Sequence, residues 1–281
     1  MIDKLEHARE VVRRYPLTDA LRRLSKEEDG LTYYDGVSTN YLRSKVTSDV
    51  LAQSLHYMIK LKLTSISDES DVPLGVSKYK GLPHLPPSLT WPSKHYFLAQ
   101  FNLAELHSFD LHGAFPDSGM FYFFFNPGGE VTVTHYDGPL DRLQLVPYPD
   151  SAHKFNGSKY YLDGFRRRSS LIRFRPRGAF YIGSGYGLSS AKKLIPRELR
   201  EQVATILGGR VASWDSDCRI FGRPLYWQGE DERLDDDDDP QEPRHLLLQD
   251  EFGEGHIHIW IDAVDARRRD YSECWMDYSG T

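Results

Sequence analysis

The sequence predicts an α+β fold, mostly antiparallel sheet behind an N-terminal helical extension. Three observations carry this reading. Apolar residues recur at helical spacing between Asp3 and about Asp68, aromatic and β-branched runs separated by Gly/Pro turns dominate from Val72 onward, and one strand-turn-strand pattern is met twice. The division that follows is a helical extension over 1–71 and an α+β domain over 72–281.

The elements follow in chain order. Leu5, Ala8, Val11 and Val12 precede Pro16, and Leu17 to Leu24 make a second short helical segment. Val50, Leu51, Leu55, Met58, Ile59 and Leu61 form an apolar stripe behind the candidate caps Thr47 and Ser48. Such a stripe either docks on the sheet or serves as an arm for a partner. Ser65 to Asp71 is polar and acidic, suited to a linker. Pro83, Pro86 and Pro87 fix φ and push their neighbours to extended conformations, so this stretch is not helical. Pro116 to Gly119 holds the residues of a tight turn, and Met120 to Phe125 is apolar on both parities, which predicts a central strand. Pro127-Gly128-Gly129 joins Met120–Asn126 to Glu130–Tyr136 as a hairpin, with a short strand following at Leu143–Val146. Pro196 to Leu207 reads as a helix ended by Gly208-Gly209, and strands at His245–Gln249, His256–Ile261 and Tyr271–Asp277 complete the sheet.

An echo runs through the chain. Leu98-Ala99-Gln100 with Gly119 before Met120–Phe125 is matched by Leu247-Leu248-Gln249 with Gly255 before His256–Ile261. This suggests a duplicated strand-turn-strand unit. The unequal spacers leave chance similarity between two buried hairpins equally open.

Composition narrows the class. A chain of 281 residues is long enough for one large domain or two, and its core needs no covalent staples. Two cysteines, Cys218 and Cys274, far apart in sequence, fit inert thiols in a reducing compartment. No apolar run approaches the ~18–20 residues a bilayer span requires, and the first residues lack a signal-peptide hydrophobic region, so a cytoplasmic protein without membrane contact is expected. A net charge of −6 argues against non-specific binding to nucleic acid.

The stretch from Gly75 to Asn126 is the most particular. Gly81-Leu82-Pro83-His84-Leu85-Pro86-Pro87 leads to Trp91-Pro92, then to Phe97-Leu98-Ala99-Gln100-Phe101-Asn102-Leu103, and then to Pro116-Asp117-Ser118-Gly119 before the aromatic strand. This order resembles the YwqG-like family of bacterial proteins, whose pattern runs Ser-Lys-Phe-Gly-Gly-x-Pro-x-Leu-Pro, Trp-Pro, an Ala-Gln-Ile-Asn-Leu strand and Pro-x-x-Gly before an aromatic strand. Gly222-x-Pro224, Leu246–Gln249 and the strand ending Ile259-Trp260-Ile261 look like that family's closing section. The chain departs from the pattern at Lys80, where the family prefers glycine, and in an acidic insertion after Trp227. The resemblance implies a fold and, through the setting of bacterial toxin and immunity loci, an inhibitor of a toxin; it assigns no catalytic residue.

The chemistry is sparse. There is no Walker loop, dinucleotide fingerprint, paired Cys-x-x-Cys or nucleophile elbow, so no cofactor is expected. Gly183 to Leu188 alternates glycines but reads as a plain glycine-rich loop. His256 and His258, two apart on a strand, share one face and could share a metal with His245, Asp250, Glu251 or Glu254; the same pattern also suits an ordinary solvated sheet face. Glu230, Asp231, Glu232, Asp235, Asp236, Asp237, Asp238, Asp239 and Glu242 form an acidic stretch beside Trp227, either a solubilising insertion or an arm for a basic partner. Arg166-Arg167-Arg168 and the alternating Arg173, Arg175 and Arg177 form the opposite block, suited to pairing within the molecule or with a protein partner more than to nucleic acid.

Two classes of function follow. The first is a non-catalytic binding protein, an immunity-type inhibitor that occludes a cognate bacterial toxin, with Asp235 to Asp239, Glu230, Glu232 and Trp227 as its contacts. The second is a metal-assisted hydrolase using His256, His258 and a carboxylate such as Asp250. A housekeeping or stress scaffold is the flatter third reading.

Overall fold

The computed structural model describes residues 26–28, 31–34, 37–38, 55–149, 169–180, 218–222, 224 and 244–280; for 26–28, 31–34, 37–38, 55–56 and 177–180 the backbone alone is described. It corrects the fold class. Instead of an α+β protein with a helical extension, the described residues form a mostly antiparallel β structure with two short α-helices, α1 (Leu103–Leu106) and α2 (Ala263–Arg268).

The stripe read as helical is the clearest difference. β4 runs over Leu55–Ser65, and three short strands, β1 (Lys26–Glu28), β2 (Leu31–Tyr34) and β3 (Val37–Ser38), form a small antiparallel sheet before it. The physical reason is visible in the residues. Ile59, Leu61 and Leu63 alternate with Lys60 and Lys62, a period of two that puts Ile59 and Leu61 inside and Lys62 in solvent. A helix here would bring the lysines round onto the apolar stripe. The helical segments expected before Pro16, at Leu17–Leu24 and at Pro196–Leu207, with the caps Thr47 and Ser48, lie outside the described residues.

The remaining strands are β5 (Lys78–Tyr79), β6 (His84–Leu85), β7 (Tyr96–Asn102), β8 (Met120–Asn126), β9 (Glu130–Tyr136), β10 (Gln144–Leu145), β11 (Ser170–Phe180), β12 (Arg219–Ile220), β13 (Arg244–Phe252), β14 (Gly255–Asp262) and β15 (Trp275–Gly280). Nine of them join β4 in one ten-stranded sheet in the order β15-β14-β13-β12-β4-β11-β5-β7-β8-β9, and β6 pairs with β10 outside it. The sheet curls until its edge strands β9 and β15 approach each other, a nearly closed barrel. Rings from the two ends meet there, Phe125 with Phe252 at 5.2 Å and Phe121 with Tyr271 at 4.7 Å.

The strand order is symmetric about its middle. Outward from the antiparallel pair β4–β11, one side continues through β5, β7, β8 and β9, and the other through β12, β13, β14 and β15. The registers repeat as well. Lys78, Gln100, Tyr122 and Thr134 lie opposite one another across one side, and Arg219, Gln249, His258 and Asp277 across the other. Both sides slip register at the same point, between Phe97 and Ala99 and between Leu246 and Leu248. Lys80-Gly81 and Phe221-Gly222 take left-handed backbone after the short strand in each half. Gly119 and Gly255 occupy matching positions, where a Cβ would overlap the carbonyl oxygen of Tyr136 in one half and of Ser279 in the other. The two segments of the sequence echo therefore sit at equivalent places in the sheet. The long strand preceding each half pairs with the other half, β4 against β12 and β11 against β5, so the sheet draws strands from both sides of residue 71.

The core lies inside the curl. Phe101 meets Phe115, Phe123 and Phe174 edge-on, and Phe121 meets Phe115 and Phe123. The aromatic strand β8 is buried on both faces, as its composition requires, yet it is next to the edge and not central. Its outer face is covered by the proline-rich segment: Trp91 packs on Phe124 at 5.4 Å and on Tyr148 at 4.7 Å, and Tyr122 Oη donates to His84 O at 2.8 Å.

Candidate functional site

Each half of the sheet presents a row of polar side chains on its outer face, and these rows hold nearly all the described chemistry. They start from the same local sequence. Lys78-Tyr79-Lys80-Gly81-Leu82-Pro83 and Arg219-Ile220-Phe221-Gly222-Arg223-Pro224 both place a cation on a two-residue strand, followed by a left-handed turn and proline. Both cations are fully buried.

In the first half the family-like motif is held by its own hydrogen bonds. Lys78 Nζ pairs with Glu69 and donates to Leu82 O at 2.7 Å, while Glu69 also accepts from Leu82 N at 2.9 Å. Gln100 accepts from His84 N at 2.7 Å and donates to Val76 O at 2.8 Å, and Asn102 donates to Gly75 O at 2.7 Å. The ring of His84 accepts from Gly75 N at 3.2 Å through Nδ1, which leaves Nε2 carrying the proton of the neutral ring. Burial, joined by the Lys78 charge, pushes His84 down to about 4 against the opposing pull of Glu69. This network holds the proline-rich segment on the sheet.

The second half replaces Tyr122 and Thr134 with His258 and Asp277. His258 Nδ1 lies 2.5 Å from an Asp277 oxygen, whose other oxygen accepts from Trp260 Nε1 at 2.9 Å. His256 shares that face, its ring 6.3 Å from that of His258, and burial with the His258 and Arg219 charges pushes it down to about 4. The solvated face that His-x-His suggested is not found: His256 and His258 are 3% and 0% exposed. The strand does alternate as read, with Ile257, Ile259 and Ile261 on the core side.

A third cluster lies within the curl. Tyr79 Oη is 2.6 Å from both oxygens of Asp250, and Lys80 Nζ is 3.6 Å from one of them. Burial raises the Asp250 carboxyl, opposed by Lys80 and the Tyr79 hydrogen bond, and raises Tyr79 well above the phenol range. The half-related positions of Asp250, Tyr79 and Lys80 are Phe101, Ile220 and Phe221, all apolar.

The sequence-predicted residues separate accordingly. Asp250 faces inward toward Tyr79, away from His256 and His258, so the three do not meet. Among the described residues no group of three His, Cys, Asp or Glu side chains could hold a metal ion. Trp227, Glu230, Glu232, Asp235 to Asp239 and Arg166 to Arg168 lie outside the described residues. Cys218 is buried, and burial pushes the Cys274 thiol up to about 12, which makes it a poor nucleophile. Sequence reasoning missed Lys78, Glu69, Arg219 and Asp277; the paired motif of cation, two residues, Gly-x-Pro was the signal for Lys78 and Arg219.

A curled antiparallel sheet built from two related halves, each with a buried cation and a glutamine on its outer face, defines the structural class. The chain belongs to the family described as Domain of unknown function (DUF1963), whose model matches residues 77–279. No curated protein matches it. No helix among the described residues is long and apolar enough to cross a membrane.

Proposed function

We propose that the protein is a non-catalytic protein-binding protein, an immunity-type inhibitor that binds and occludes a cognate bacterial toxin in the cytoplasm. The observation carrying this is that the polar clusters of the sheet are buried and tied to one another: Lys78 to Glu69, Gln100 to His84, Tyr79 to Asp250 and His258 to Asp277. Groups so engaged hold a fold and leave recognition to the surface. The resemblance to YwqG-like proteins adds the toxin setting. The acidic stretch Asp235 to Asp239, with Glu230, Glu232 and Trp227, supplies contacts to a basic toxin surface.

The test is capture of a partner encoded by a neighbouring gene, followed by co-expression. A one-to-one complex with a protein that kills cells only when this chain is absent supports the reading, and deletion of 235–239 should then weaken the complex at least tenfold. Absence of any such partner, or unchanged affinity after the deletion, would sink the inhibitor or its contact surface respectively.

The His258–Asp277 pair favours a second reading, an enzyme in which Asp277 orients His258 for proton transfer. A hydrolase activity abolished by His258→Gln and Asp277→Asn in folded protein would move the assignment to it.

A further inference from the structure

We propose that the outer face of the central β4–β11 pair is an interaction surface for an acidic segment of a protein partner, with Lys62, Arg173 and Arg175 as its cationic contacts. On β11 the residues Leu171, Arg173 and Arg175 share this face, while Ile172 and Phe174 are buried on the other. Lys62 lies directly opposite Arg173, and Lys60 directly opposite Arg175. Like charges facing each other across a strand pair repel, so the Lys62–Arg173 pair does not by itself stabilise the pairing of β4 with β11. Several other described cations do have carboxylates: Lys78 has Glu69, Lys80 has Asp250 and Arg244 has Asp262. No carboxylate among the described residues pairs with Lys62, Arg173 or Arg175. Lys62 and Arg173 are exposed to solvent, in a chain whose net charge is −6.

The geometry selects the partner. Residues two apart on a strand repeat at roughly 6.6–6.8 Å, so an extended segment with a carboxylate at every second residue matches the spacing of Arg173 and Arg175. Guanidinium groups take carboxylates in bidentate fashion, and Leu171, 37% exposed beside them, adds an apolar contact. A single-stranded nucleic acid would use stacking aromatics, and the described outer positions of this strand pair, Met58 to Thr64 and Leu171 to Arg175, carry none. The proposal does not depend on the toxin reading.

Binding of the full chain to a fluorescein-labelled peptide of six Glu-Thr repeats tests it, with labelled oligo-dT of 20 nucleotides as competitor. The expected result is peptide binding that weakens with salt, falls at least tenfold in Lys62→Glu/Arg173→Glu, and survives in Lys62→Arg/Arg173→Lys, with circular dichroism and thermal melting unchanged. Peptide affinity insensitive to the charge reversal, no peptide binding at low salt, or tighter binding of oligo-dT that the reversal abolishes would each overturn the proposal.

Discussion

Replacing Glu69 by glutamine isolates the buried ion pair beneath the proline-rich motif. The Lys78 side chain is 0% exposed and that of Glu69 19%, so the lysine cannot reach water when its partner loses charge. The introduced amide can still accept from Leu82 N, and Leu82 O still accepts from Lys78 at 2.7 Å, so only the charge and one acceptor are removed. Breaking a buried pair from one side costs about 3–5 kcal/mol, and the retained carbonyl and the partial exposure of Glu69 put the expected loss near the lower end, about 3 kcal/mol. For a chain of this size that corresponds to a fall of roughly 6–12 °C in melting temperature. Urea unfolding of the wild type, Glu69→Gln, Lys78→Met and the double variant supplies the assay. Lys78→Met removes the buried cation itself, so the double variant should be more stable than the sum of the single losses predicts by more than about 1 kcal/mol. A Glu69→Gln loss below about 0.5 kcal/mol, or simple additivity, would refute the view that this pair holds the motif to the sheet.

Three other predictions concern the same clusters. His84 and His256 are held neutral down to about 4, against an ordinary value of 6.5. The unfolded chain therefore takes up protons first, so stability is full above about pH 6.5 and falls as pH drops toward 4, by about 2 kcal/mol per histidine once solvent screening is allowed for. Urea midpoints measured from about pH 7 to about pH 5 should decline, less steeply in His84→Asn; a flat profile contradicts the burial argument. Lys80→Gly relieves a left-handed backbone at φ 54 but removes the cation 3.6 Å from Asp250. At about pH 8 the variant should be less stable by about 1–3 kcal/mol, since the uncompensated carboxylate outweighs the strain, and a more stable variant would show that strain dominates. Gly119→Ala and Gly255→Ala should each cost about 1–3 kcal/mol for a Cβ set against an edge-strand carbonyl, and Gly119→Ala about 1–2 kcal/mol more, because Gly119 alone of the two sits at a left-handed φ of 95. A Gly255→Ala variant that melts with the wild type would show that the second half does not share this packing.

Much of the strand content was legible. β8, β9, β13 and β14 fall where alternation and turn residues place them, because each carries its pattern within a few residues. β4 was misread because its apolar residues satisfy a helical stripe when Leu55, Met58 and Ile59 are counted and a strand when Ile59, Leu61 and Leu63 are. Only pairing along eleven residues with β11 decides between them. His256 and His258 were correctly placed on one face, but Asp250 was grouped with them on proximity in sequence alone. Its parity on β13 sends it inward, to a tyrosine 171 positions away.

The sequence by itself determined where the chain turns and which strands are too apolar to face water, since these follow from φ restriction and side-chain period; the echo between its two strand-turn-strand segments became a repeat only in the matching registers of the sheet. The tertiary structure alone decided that the two halves exchange their leading strands, that Lys78 and Arg219 are buried, and that Lys62 and Arg173 face each other in solvent. Those outcomes depend on register between segments distant in the chain, and register is set by which faces can be buried together.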